Sequence, residues 1–441
     1  MSKRMSRRTF LKASGGGLVL VGGTVLLGGS ALDLAGRAGP APSVMASAAG
    51  TAAGAGLTIR YWSALSGRAA QAEQALVEEF HRSQTAVRVL VQRPGGYAET
   101  ARAYAAAARK GNAPDLVMLS DTAWFNLQRD RLLAPLDQRA AAAGIAFGDF
   151  APGLLNEGLH EGQRYWLPFA RSTPLFFYNA DTWLQAGLPN RGPASWQELA
   201  DWAPHLAGGG RAVFGHPRDT SALSWLFQSV IWQFGGAYST PDLRPTLTEP
   251  HSLRAAQFYR DTVHGAGWAR LSGDLRQDFV AGRVQSMLAS SSALADLSAN
   301  ANFRVGVAAL PRETFGATLT GGAGLALAAG ASAERQAAAM QYVAFATSPE
   351  NAARWARATG ALPVRISALD QPAMRALLAE RPGLQAALDQ LGHARPQDAL
   401  RTRTPSGDAL IGAGLLRIMS GADPAQVWHH VTQRLASEHS G

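Results

Sequence analysis

The chain predicts an α/β fold of two lobes that exchange strands, and three observations carry that prediction. Strand, helix, strand, helix and strand succeed one another between residues 57 and 120. A helix-rich section occupies the middle of the chain. Short apolar strands return late, at 286–290, 305–310 and 325–328, where they can rejoin the first sheet. The opening order implies a parallel sheet with helices on both faces.

The elements follow from local pattern. Leu57-Thr58-Ile59-Arg60-Tyr61-Trp62 alternates and is aromatic, so it reads as a strand. Residues 68–83 set Ala69, Ala72, Leu76, Val77 and Phe80 at helical spacing. Val87 to Val91 is a second strand. After the Gly95-Gly96-Tyr97 turn, a helix runs through Ala106 to Lys110 and is stopped by Gly111-Asn112-Ala113-Pro114. Leu116 to Leu119 is an apolar third strand ending at Ser120-Asp121. Ligands of such sheets sit beyond the carboxyl ends of the strands. Trp62-Ser63, Tyr97 and Ser120-Asp121 therefore share one edge.

The aromatic run Leu167 to Asn179 contains Pro168 and Pro174 around the triplet Arg171-Ser172-Thr173. Proline lacks the N–H that a central strand needs. The expected structure is a strand ending near Phe169, a polar turn at 171–173, and a second strand from Leu175 to Tyr178. An ordinary core hairpin is the plainer alternative. Beyond it, Trp183, Trp196, Leu199 and Trp202 fall on helical faces and read as core. Ser221 to Phe234 is a helix carrying Trp225 and Trp232, closed by Gly235-Gly236. Thr320 to Gly324 reads as a glycine turn before the strand Leu325 to Ala328, and helices fill the remainder.

Composition narrows the function. The 441 residues are 47% hydrophobic and 17% charged, ordinary for a globular chain. The formal charge of +9 hints at nucleic acid, but residues 1–48 carry +5 of it, leaving +4. No cluster of Lys and Arg interleaved with aromatics remains, so a nucleic-acid partner is rejected. Arg7-Arg8 ahead of a Gly-rich apolar run, with Ala46-Ser47-Ala48 as a cleavage site, is a twin-arginine export signal over 1–48. Residues 49–56 are a flexible leader. The expected location is the periplasm. With no cysteine, disulfides, Fe–S clusters and a lipobox anchor are excluded.

Catalytic sets are not visible. The ten histidines are scattered, and His429-His430 are adjacent and so face different directions on a helix. No H-E-x-x-H, P-loop or G-x-S-x-G occurs. Neither a cofactor nor a metal is expected. What does recur is polar groups at strand ends and turns: Ser63, Tyr97, Asp121, Ser172, Ser290-Ser291 and Gly321-Gly322. Hydroxyls and glycine N–H groups suit anionic oxygens, and a lone carboxylate suits hydroxyls.

These segments resemble the solute-binding proteins of carbohydrate-type ABC importers (extracellular solute-binding protein family 1). Within them the similarity is to the glycerol-3-phosphate-binding group. The matching residues are Tyr61 to Gly67, Gly111-Asn112-Ala113-Pro114, Pro168 to Pro174 with Tyr178-Asn179, and Ser195 to Ala200. They continue through Met287 to Ser292, Gly321-Gly322-Ala323, Ser348 to Ala353 and Thr359 to Val364.

The resemblance implies a periplasmic-binding-protein-like fold, two lobes with crossing hinge strands and a ligand cleft between them. It implies an N-terminal lobe of 57–173 plus 320–362 and a C-terminal lobe of 174–319 plus 363–441. It further implies a non-enzymatic monomer that captures glycerol-3-phosphate or a related glycerophosphodiester and delivers it to ABC permease transmembrane subunits. A sugar-binding protein of the same fold is the alternative, and an exported hydrolase a more distant one.

Carried over, the ligand contacts are Tyr97, Asp121, Ser172, Trp232, Ser290, Gly322 and Arg401, with Arg403 as a rival to Arg401. Asp121 would accept glycerol hydroxyls with Trp232 nearby, and Ser172, Ser290, the Gly322 N–H and Arg401 would surround the phosphate. Two positions depart from the family pattern: Asp121 stands for a more usual Glu, and Ala361 for a tyrosine.

Overall fold

The computed structural model describes residues 56–437 and shows two mixed sheets wrapped by helices. The export signal and the leader up to residue 55 lie outside the described residues.

The chain opens with β1 (Leu57–Trp62), α1 (Gly67–Ser83), β2 (Val87–Gln92), α2 (Tyr97–Arg109), β3 (Leu116–Ser120), α3 (Trp124–Arg129) and β4 (Leu133–Ala134). A small hairpin of β5 (Leu159–His160) and β6 (Gln163–Arg164) precedes β7 (Leu167–Ser172) and β8 (Pro174–Asn179). Next come α4 (Trp196–Leu206), β9 (Ala212–Pro217), α5 (Thr220–Gln233), α6 (Pro250–His264), β10 (Ala269–Ser272), β11 (Val284–Ser290) and β12 (Val305–Ala308). The last strand is β13 (Gly321–Ala328), followed by α7 (Ala333–Ala346), α8 (Pro349–Thr359), α9 (Leu384–Gln390), α10 (Ala399–Arg403) and α11 (Gly407–Met419).

The first sheet has the order β2-β1-β3-β13-β4, with β7 also beside β13. The β1 pairs with β2 and β3 are parallel, whereas β13 runs antiparallel to β3, β4 and β7. The second sheet has the order β10-β9-β11-β8-β12. In β3 every residue is buried, with Leu116 and Met118 entering one core and Val117 and Leu119 the other. Each such side chain contributes about 1.5–3 kcal/mol of burial. β8 is likewise buried on both faces: Leu175 and Phe177 belong to one cluster, Phe176 and Tyr178 to another. Trp183, Trp196 and Leu199 are buried core residues, as expected, and Trp202 packs against them.

Three expectations are corrected. Arg171 and Ser172 are not in a turn. They continue β7 by pairing with Gly322 and Gly321, and only Thr173 separates β7 from β8. The two strands therefore form no hairpin, because the chain steps at Thr173 from one sheet into the other. Pro174 is tolerated as the first residue of β8.

The glycine run 321–324 likewise belongs to the strand. At Gly321 a Cβ would lie 2.8 Å from Trp225 Cε2. Gly322 has φ +126°, and a Cβ there would run into the Ala170 carbonyl. Finally, the segment 363–380, expected with the second lobe, packs on the first. Arg365 donates to the carbonyls of Thr347 and Ala146, both at 2.7 Å, and Ser367 Oγ donates to Asp149 at 2.6 Å.

Candidate functional site

The step at Thr173 brings the ends of separate strands together. Ser172, the last residue of β7, faces Gly321 at the start of β13. Across Thr173, Pro174 faces Ser290, the last residue of β11. The Thr173 carbonyl accepts from Ser291 N–H at 2.8 Å, and its hydroxyl donates to the Leu319 carbonyl at 2.8 Å. Ala323 pairs with Ser120, which sets Asp121 at the same junction. Ser172, Ser290, Gly322 and Asp121, drawn from positions 121 to 322, are thus neighbours by register. All are buried.

Each expected contact has identifiable partners. Asp121 pairs with Arg171 Nη1 at 2.6 Å and accepts from the Gly322 N–H at 2.9 Å. The Gly322 N–H is therefore engaged by the carboxylate and does not stand open to an anion, which corrects its expected role. Tyr97 opens α2, and burial first, then the Asp121 charge, raises its phenol above the ordinary value, so it stays a neutral donor. Ser172 Oγ lies 3.4 Å from the Gly321 carbonyl. Ser290 Oγ lies 2.8 Å from Ser292 Oγ.

Arg401 is buried, donating from Nε to Ser224 Oγ at 2.7 Å and from Nη1 to Gln397, with Asp408 2.5 Å from Nη2. Gln397 in turn donates to the Thr320 carbonyl at 2.7 Å, tying this cluster to the approach to β13. Arg403 turns elsewhere: its guanidinium sits 4.8 Å over the Phe125 ring of α3. Trp232 donates its indole N–H to Asp398 at 3.1 Å. Burial pushes the Asp398 carboxyl up to about 6, with the Tyr238 N–H opposing.

The pattern of residues had not pointed to two features. Trp225 lies seven residues before Trp232 and so shares its helical face; it is the ring of α5 that abuts Gly321 in the other sheet. That spacing is a signal, but it is equally a signal for core. Arg171 also pairs with Glu157 and lies 3.3 Å from Thr320 Oγ1, while Thr320 donates to Glu157 at 2.5 Å. Glu157 sits in a short turn at 156–158 with no motif around it. Ala361 is buried beside this junction, because the Gly360 carbonyl accepts from Ser291 Oγ at 3.3 Å.

Chemically, hydroxyls, the Asp121 carboxylate, a phenol and buried guanidinium groups converge between two sheets. That set has the chemistry to suit polar solutes. Among the described residues no group of three or more His, Asp or Glu is arranged to hold a metal ion.

Comparison with known proteins agrees with this geometry. The family model for bacterial extracellular solute-binding proteins matches residues 75–382. The sn-glycerol-3-phosphate-binding periplasmic protein UgpB of Pectobacterium atrosepticum is 25% identical over 351 residues, covering 76% of this chain and 79% of the relative. Its Escherichia coli K12 counterpart is 24% identical over 353 residues, covering 76% and 80%. The crystal structure of Mycobacterium tuberculosis UgpB in complex with glycerophosphocholine superposes with a TM-score of 0.83 at 39% identity, covering 87% of this chain and 98% of that one. The acarbose-binding GacH receptor of Streptomyces glaucescens shares the fold, with a TM-score of 0.75 at 22% identity over 87% of this chain and 98% of that one. With two lobes joined by crossing strands and a polar junction between them, the chain belongs to the bacterial extracellular solute-binding protein family.

Proposed function

We propose that the protein is the substrate-binding component of an ABC importer for a glycerophosphodiester such as glycerophosphocholine. The observation that carries this reading is the convergence of Asp121, Ser172, Ser290 and Gly322 at the crossing near Thr173, in a chain 39% identical to a protein solved with that ligand. In this reading Asp121 and Tyr97 meet the glycerol hydroxyls, Ser172, Ser290 and Arg401 meet the phosphate, and Trp232 closes one wall with Trp225. Gly322 orients Asp121. Ala361 leaves room for a substituent beyond the phosphate, which favours a diester over the bare monoester.

Closure of the lobes then selects the form that docks on the permease. The lobes comprise 57–173 plus 320–380 and 174–319 plus 381–437. Export through the twin-arginine segment delivers the folded protein to the periplasm as an unanchored monomer, and no covalent chemistry takes place on the solute.

The test is thermal stabilisation of the mature protein by glycerophosphocholine, glycerol-3-phosphate, glycerol, maltose, trehalose and inorganic phosphate. A ligand at about 100 times its Kd adds about 2.7 kcal/mol. A shift confined to the phosphate esters supports the proposal. A shift with maltose or trehalose alone replaces it with sugar binding, and no shift with any ester overturns it.

A further inference from the structure

One charged side chain at the junction is not among the expected ligand contacts but touches one of them. Arg171 is fully buried, and its guanidinium touches Asp121, Glu157 and Thr320 while lying 5.1 Å from the Trp166 ring. Its backbone is anchored independently: the residue pairs with Gly322 in β13, and its carbonyl accepts from Leu362 N–H at 2.6 Å. These backbone bonds of β7 do not involve the side chain. Its partners divide by role. Asp121 lies at the junction, whereas Glu157 and Thr320 bond each other behind it. One guanidinium bridges a carboxylate of the site and a carboxyl of the scaffold.

We propose that Arg171 is a positioning residue for solute recognition, holding the Asp121 carboxylate oriented and charge-compensated so that it accepts hydroxyls without repelling an anionic phosphate. This inference rests on the reading of Asp121 as a ligand contact. Two carboxyl groups converge on one cation. Removing that cation takes its counter-charge away from both buried carboxyls, which favours protonation and repels an anion whenever they ionise. A glycerophosphate ligand makes the device necessary: its hydroxyls call for a carboxylate, and its phosphate calls for the absence of net negative charge.

Among the groups facing Asp121 are Arg171 from β7, Glu157 from the 156–158 turn, Tyr97 from α2 and, beyond Tyr97, Glu73 from α1. Burial raises both Glu157 and Glu73 from the ordinary carboxyl value, Arg171 opposing at the first and the Tyr61 hydroxyl bond at the second. Tyr97 stays neutral. Among these groups Arg171 supplies the positive charge at the carboxylate.

The experiment is calorimetric titration of full-length mature protein with glycerophosphocholine from pH 5.5 to 8.5. A phosphodiester keeps one charge across this range, whereas a monoester has a second ionisation near about 6. Arg171→Met is expected to lose about tenfold in affinity or more at pH 8.5 and to recover much of it at pH 5.5, a slope steeper than that of the wild type. Arg171→Lys keeps the charge but grips a single carboxylate, so it falls between the two.

Arg171→Met with the wild-type slope overturns the proposal. So does Arg171→Lys with wild-type affinity and slope, which also decides the matter should Arg171→Met fail to fold. Failure of the underlying reading looks different: the wild type then does not bind the ester, or Asp121→Ala binds it as well as the wild type does.

Discussion

Gly321 is where the two lobes come into contact through a bare backbone, and adding one methyl group there tests the closure argument directly. In Gly321→Ala the new Cβ would lie 2.8 Å from Trp225 Cε2 and 3.0 Å from Cζ2, and closer still to the indole nitrogen. Carbon atoms rest at about 3.5–4.0 Å, so the ring and the strand must separate by about 1 Å. Trp225 is buried among the second-sheet core and has little freedom to turn. Gly321, unlike Gly322, has no left-handed φ, so the backbone itself accepts alanine.

The strain therefore falls on the contact between lobes. Overpacking of this kind costs about 1–3 kcal/mol. If opening the lobes relieves it, the cost appears as a loss of ligand affinity of about 5- to 150-fold, with the unfolding free energy nearly unchanged. Calorimetry with glycerophosphocholine and urea unfolding of the apo protein read the two quantities separately. Pairing the change with Trp225→Phe, a smaller ring, restores part of the loss in a double-mutant cycle. Wild-type affinity in Gly321→Ala, or a fall in stability with no fall in affinity, refutes the assignment of this contact to closure.

Other perturbations follow from the same geometry. Gly322→Ala meets both the Ala170 carbonyl and a φ of +126°, so it destabilises folding by at least about 3 kcal/mol, measurable as a lower urea midpoint. Arg403→Ala removes the 4.8 Å stacking on Phe125 between α10 and α3. It weakens ligand binding by about 2- to 30-fold, the equivalent of about 0.5–2 kcal/mol, while leaving the apo unfolding midpoint in place.

Asp398 governs a pH dependence. Its folded-state value of about 6 lies above the ordinary 3.8, so the folded state holds the extra proton between those values. The stabilisation is full below about 3.8 and is lost as pH rises through about 6. The wild type thus loses about 2 kcal/mol between pH 4 and pH 7 relative to Asp398→Asn. Urea unfolding of the pair across that range checks it, and parallel curves refute it.

Local pattern alone determined the strands and helices that depend only on neighbours in the chain. The alternation of Leu57 to Trp62, the apolar run Leu116 to Leu119 and the helical spacing of residues 68–83 each appear as elements in the structure, because burial of a face is written into a period of two or 3.6 residues. The absence of cysteine and of nucleophile motifs was equally legible. Tertiary structure decided what polar and small residues do. Arg171 and Ser172 look like a turn in isolation, yet they extend a strand because Gly321 and Gly322, about 150 residues later, supply the ladder. Gly321 to Gly324 read as a loop, yet they lie flat in β13 because Trp225 and the Ala170 carbonyl occupy the space where side chains would be.

The same reason hid the Asp121–Arg171–Glu157 network and the Arg401–Ser224 bond, whose partners lie 50, 14 and 177 residues apart. Hydrogen bonds and ion pairs act over about 3 Å in space and leave no period in the chain.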